Sequence, residues 1–161
     1  SILNGSNKMN DFKNTFMNTL ITTKLGLDTL PVRLGAGVIF TAHGAQKLFG
    51  WFGGYGLEGT AGWMESIGLA PGTLMAAAAG GAEFFGGLLL IAGLLVRPTA
   101  WILAITMLVA IITVHLQNGL FMSNNGYEFG LALLVISVGL AIRGAGSMSV
   151  DNLLQKKLAN A

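Results

Sequence analysis

Four long apolar stretches dominate the chain, and its polar residues gather between them or at their ends. The stretches run from Leu30 to Phe49, Thr73 to Val96, Pro98 to Leu116 and Tyr127 to Ile142. A hydrocarbon core of about 30 Å asks for about 20 residues of helix. The first three stretches meet that length, and the fourth, about 16 residues, meets it with flanking residues or local thinning of the bilayer. The pattern predicts an all-α protein: an integral membrane four-helix bundle. Pro31 and Pro98 stand at helix starts, where a missing backbone N–H costs little. Trp51, Trp63, Trp101 and Tyr127 fall near span ends or in the outer loop, as aromatic rings at a membrane interface should.

The flanking segments carry weaker periodicities. From Asp11 to Leu27, Phe12, Phe16, Leu20 and Ile21 recur at helical spacing, with Lys13, Asn14, Asn18 and Lys24 on other faces. This predicts an N-terminal interfacial helix, with a fraying polar terminus as the alternative. Ser1–Ser6 are set aside as a cloning remnant. Between the first two spans, the glycine-rich Gly50–Gly72 loop predicts a short helix over Ala61–Ile67, capped by Thr60 and ended at Gly68. Three units result: residues 1–29 as remnant and amphipathic segment, 30–145 as the membrane domain, and 146–161 as a cytoplasmic tail.

Composition narrows the function classes. Of 161 residues, 53% are hydrophobic and only 10% charged, too few to cover a water-facing surface. A net charge of +2 without a basic cluster argues against nucleic-acid binding. With no cysteine, thiolate metal sites and thiol redox chemistry are excluded for the chain itself. Lys8, Lys13, Lys24, Arg33, Arg97, Arg143, Lys156 and Lys157 fall on one predicted side, and Lys47 alone lies near the other. By the positive-inside rule both termini are cytoplasmic, in a multi-pass protein of the bacterial cytoplasmic (inner) membrane. Arg33 is then expected as a topology anchor.

Ionisable groups inside such a bundle are costly and must face protein, water or a ligand. His43, Gln46 and Lys47 share one face of the first span, because residues three and four apart align on a helix. Glu83 lies about ten residues into the second span, near mid-membrane at about 1.5 Å per residue. His115 ends the third span and Glu128 opens the fourth. His43, Lys47, Glu83, His115 and Glu128 are therefore expected to meet in the outer half of the bundle. Small residues on the second span, Ala76 with Gly80, Ala77 with Gly81 and Ala82 with Gly86, predict close helix packing.

R-L-G-A-G-V-I-F-T-A-H-G-A-Q-K-L-F from Arg33, G-T-A-G-W-M-E-S-I-G-L-A-P from Gly59 and A-E-F-F-G-G-L-L-L-I-A-G-L from Ala82 resemble the DoxX family. T-V-H-L from Thr113 and N-G-Y-E-F from Asn125 extend the resemblance to about Leu30–Leu154. It implies a four-helix membrane protein whose recurrent polar residues would be Arg33, His43, Lys47, Glu83, His115 and Glu128. The family includes a small subunit of a thiosulfate:quinone oxidoreductase and members tied to membrane oxidoreductase complexes. Three readings stay open. The leading one is a redox-associated subunit that binds a quinone or similar small molecule, alongside oxidoreductase subunits or further copies of itself. In it His43, Lys47, Glu83 and Glu128 form the polar or proton-relay cluster, and His43, Gln46, Lys47, His115, Trp51 and Tyr127 contact the ligand. The second is a non-catalytic accessory or assembly protein. The third is a metal or haem site built on His43 and His115, with Glu83 and Glu128 nearby.

Overall fold

The computed structural model describes residues 2–160, with side chains from Asn7 onward. The remnant assigned to Ser1–Ser6 falls partly outside the described residues, and the backbone from Ile2 is already helical. Among the described residues there are seven α-helices and no strand. They are α1 (Ile2–Ile21), α2 (Thr29–Phe49), α3 (Gly56–Ser66), α4 (Gly72–Ala92), α5 (Val96–Ala110), α6 (Glu128–Arg143) and α7 (Val150–Ala159). The four apolar stretches correspond to α2, α4, α5 and α6. Two helical runs, Gly72–Ala92 and Val96–Asn118, are long and apolar enough to cross a membrane.

Helix α2 packs chiefly on α4, and α5 on α6. Glycine sets the first contact. A Cβ on Gly44 would run into the backbone of Phe84, and one on Gly87 would run into Thr41 and the Gly37 carbonyl. Gly86 lies against Leu103 and Gly80 against Leu48, whereas Gly81 meets nothing within 4 Å. The small face of α4 is thus used at Gly80, Gly86 and Gly87 but not at Gly81. Phe40, Leu90, Val96, Leu103, Met107, Leu133 and Leu140 fill the core among these helices.

The loop helix is longer than its sequence suggests. It starts at Gly56, so Thr60 is not a cap: it lies inside α3, buried, with its hydroxyl directed at the Lys47 carbonyl (3.4 Å). Glu65 accepts a hydrogen bond from the Gly72 N–H (3.1 Å) and so ties α3 to the start of α4. Helix α1 reaches only Ile21 and exposes Met9, Phe12 and Phe16, while Ile21 is buried.

The C-terminal segment is not a free tail. Ser149 caps α7 by accepting from the Asn152 N–H (3.1 Å). Asp151, buried, accepts from the Leu95 and Val96 N–H groups at 2.8 and 3.0 Å and so supplies the N-terminal cap that α5 lacks locally. Burial pushes its carboxyl above the ordinary value, against the pull of those two bonds and of Arg33. Arg33 itself is not a solvated anchor: it is 2% exposed and donates to the Ala145 and Met148 carbonyls. Folding the 144–152 segment across the end of α2 buries it. Arg143 pairs with Asp28 and holds that carboxyl below its ordinary value.

Candidate functional site

Where α2 ends and α6 begins, α2, α4, α5 and α6 line a cavity of about 800 Å³, to which α3 and the 122–126 loop also contribute. Helical spacing decides what lines it. Helix α2 contributes Phe40, His43 and Lys47, and α4 contributes Met75, Ala78, Ala79, Ala82 and Glu83. Positions three and four apart fall on one face of each helix. A volume of this size and a mostly apolar wall with few polar groups suit a small organic ligand.

The strongest polar feature is an ion pair: Lys47 Nζ stands 2.6 Å from Glu83 Oε2. Glu83 is 4% exposed, while Lys47 keeps about a quarter of its side chain, 26%, accessible. A carboxylate so deeply placed needs this partner, because an unpaired buried charge is costly. One turn before Lys47, the half-buried His43 sets its ring 5.8 Å from that of Phe129, tilted by 45°. Among the described residues its imidazole makes no hydrogen bond, so its ring nitrogens are available to a ligand. His115 closes a π-helical turn, Ile111–His115, that continues α5. Its Nδ1 donates to the Asn125 carbonyl (2.9 Å), and its side chain also lines the cavity. The acceptor fixes the tautomer, because a carbonyl has no proton to offer.

Four of the five clustered residues therefore share this wall: His43, Lys47, Glu83 and His115. Glu128 does not line it. Its carboxylate accepts from the Met122 N–H (2.7 Å), and its own N–H bonds the Leu120 carbonyl (2.8 Å). It shapes the loop that presents Met122 and Asn125 to the cavity. Gln46 is drawn the other way, donating to the Phe52 carbonyl (3.2 Å). Trp51 sets its ring 5.0 Å from that of Phe49, tilted by 42°, and lines a separate apolar groove of about 220 Å³. Tyr127 caps α6 and closes the loop through its N–H to Gly119 (3.0 Å). These three stay away from the cavity because the 51–55 and 119–127 turns hold them by backbone contacts.

Among the described residues, no three His, Asp or Glu side chains come close enough to hold a metal ion. His43, His115, Glu83 and Glu128 do not form one ligand set, since Lys47 engages Glu83 and the loop backbone engages Glu128. Trp63 and Met64 of α3 also line the cavity and are not singled out as ligand contacts by sequence. The available signal was the apolar side of the loop helix, to which both belong.

The sequence profile of the DoxX family matches residues 29–116, which hold α2 to α5 and His43, Lys47, Glu83 and His115. CatD of Bacillus subtilis, a protein named as a candidate oxidoreductase, is 36% identical over 134 residues, covering 83% of this chain and 92% of its own. An uncharacterized protein of Haemophilus influenzae is 37% identical over 76 residues, 47% of this chain and 50% of its own. No solved structure matches the chain. A profile spanning more than half of the sequence, and a relative aligned over nearly its whole length, place this chain in the DoxX family of membrane-associated proteins.

Proposed function

We propose that the protein is a redox-associated subunit of the bacterial inner membrane that holds a quinone or similar small molecule in the cavity beside Lys47 and Glu83. In this reading α2, α4, α5 and α6 form a four-helix bundle across the bilayer, both termini are cytoplasmic, and the cavity lies in the outer half. The observation that carries it is the partly buried Lys47–Glu83 pair in a mostly apolar wall, next to a histidine with no hydrogen-bond partner among the described residues. A structural ion pair needs no cavity of this size beside it.

The chemistry follows from the residues. A quinone carbonyl needs hydrogen-bond donors, and Lys47 and His43 supply them. Two-electron reduction consumes two protons, which Glu83 and the imidazoles can pass on. The chain has no cysteine to carry electrons, so they come from a bound cofactor or a partner protein. The likeness to a candidate oxidoreductase supports redox association. Purified protein titrated with a short-chain benzoquinone should show saturable binding and a reduction-dependent absorbance change that Glu83→Gln alters. Absence of binding by the wild type would refute this function.

A second reading has its own observation. Glu128 and His115 are bonded to the 119–128 loop, as expected of polar groups that only hold the fold together. An accessory protein of this kind would lose thermal stability in Glu83→Gln yet keep its partner's activity unchanged.

A further inference from the structure

Helices α4 and α5 are joined by a tight turn in which Gly93 and Leu95 take left-handed backbone angles (φ 71 and 50). Just beyond it the helices touch: a Cβ on Gly86 would stand 3.1 Å from Leu103 Cδ2. Further from the turn α4 offers Ala78 and Ala82 to the gap, side chains too short to fill it. Along α5, Ile102, Ile105 and Val109 also line the cavity and follow one face at helical spacing. These three line the cavity yet are 55%, 59% and 48% exposed, so they form its rim and not its interior. The opening is therefore on the flank of the molecule, between two helices, and α4 and the run that continues α5 to Asn118 have the length and apolarity to cross a membrane.

The far wall sets the charge that fits. Lys47 is the sole lysine or arginine among the described lining residues, and Glu83 neutralises it at 2.6 Å. A sulfur or phosphorus oxyanion finds no uncompensated cation here, and its desolvation would go unreturned. A neutral carbonyl or hydroxyl head can bond the pair without displacing either partner.

We infer that the cavity takes a neutral amphipathic molecule directly from the hydrocarbon, between α4 and α5, with its polar head at Lys47 and Glu83 and its apolar tail across Ile102, Ile105 and Val109. This rests on the proposed reading that the cavity holds a small molecule, and adds the route and the ligand class.

The test uses the full chain in lipid nanodiscs. Trp63 lines the cavity, whereas Trp51 and Trp101 are exposed outside it, so Trp51→Phe and Trp101→Phe leave Trp63 as a fluorescent reporter. Quenching is titrated with a dimethoxy-methyl-benzoquinone bearing a decyl tail and with its tailless parent. Ala78→Phe narrows the rim; Ala78→Leu, a smaller fill, serves the same comparison if the first variant does not fold. Affinity for the tailed probe should fall by about tenfold or more, and by at least about fivefold more than affinity for the tailless probe. Equal losses for both probes, or none for the tailed one, overturn the lateral route. Displacement of either probe by millimolar thiosulfate overturns the neutral-ligand class. If neither probe quenches Trp63 saturably in the reporter chain, the ligand site itself is refuted. Tailless binding without discrimination removes only the inference made here.

Discussion

Replacing Lys47 by methionine leaves the Glu83 carboxylate, 4% exposed, at an apolar wall with no cation at hydrogen-bond distance. Breaking a buried pair from one side costs about 3–5 kcal/mol, and the partial exposure of Lys47 points to the lower end, about 3 kcal/mol. Glu83→Leu strands the ammonium instead. Lys47 already has 26% of its side chain accessible and can reach further towards water, so about 1–2 kcal/mol is expected. Removing both charges with Lys47→Met and Glu83→Leu should return stability to within about 1 kcal/mol of the wild type, because neither charge is then left buried alone. The four proteins can be compared by reversible unfolding in mixed micelles of dodecyl sulfate and a mild detergent, followed by circular dichroism. The cycle also separates structure from function, since the double variant should fold but no longer bind a quinone. If the double variant's loss equals the sum of the single losses to within about 0.5 kcal/mol, the two side chains do not act as a unit and the reasoning fails.

Two further predictions concern the packing and the far end. Gly44→Ala should destabilise by about 1–3 kcal/mol or more, because its Cβ meets the Phe84 backbone, which cannot step aside. Gly81→Ala, with nothing within 4 Å, should be neutral or stabilising by about 0.5–1 kcal/mol; thermal unfolding in detergent that ranks the two variants the other way would contradict the packing. The Asp151 carboxyl is raised above 3.8 by burial, so the folded state holds its proton more tightly than the unfolded chain does. Its contribution is then full below 3.8 and declines as pH rises from there through the folded-state value. Subtracting the Asp151→Asn unfolding curve from that of the wild type between about pH 3 and about pH 7 should give a falling line, and a rising one would show the sign to be wrong.

The long helices were legible because one property governs them: a long, mainly apolar run forms α2, α4, α5 or α6 whatever lies around it. The C-terminal helix was not. Its ten residues are polar enough to read as a tail, and what orders them is distant: Asp151 capping α5 and the loop before it closing over Arg33. The candidate site divides along the same line. Chain order and helical rise place His43, Lys47, Glu83, His115 and Glu128 at one end of the molecule, because each residue advances a helix by a set distance.

By itself, then, the sequence determined the long helices α2, α4, α5 and α6 and how far along each of them its polar groups lie. Only the tertiary structure decided their partners: Lys47 turned to Glu83, Gln46 to the Phe52 carbonyl, and Glu128 to the backbone of its own loop. The physical reason is that position along a helix is a local property of the backbone. The direction in which a helix faces is settled by packing between segments far apart in the chain, here by glycines such as Gly44 and Gly87 that let α2 and α4 meet.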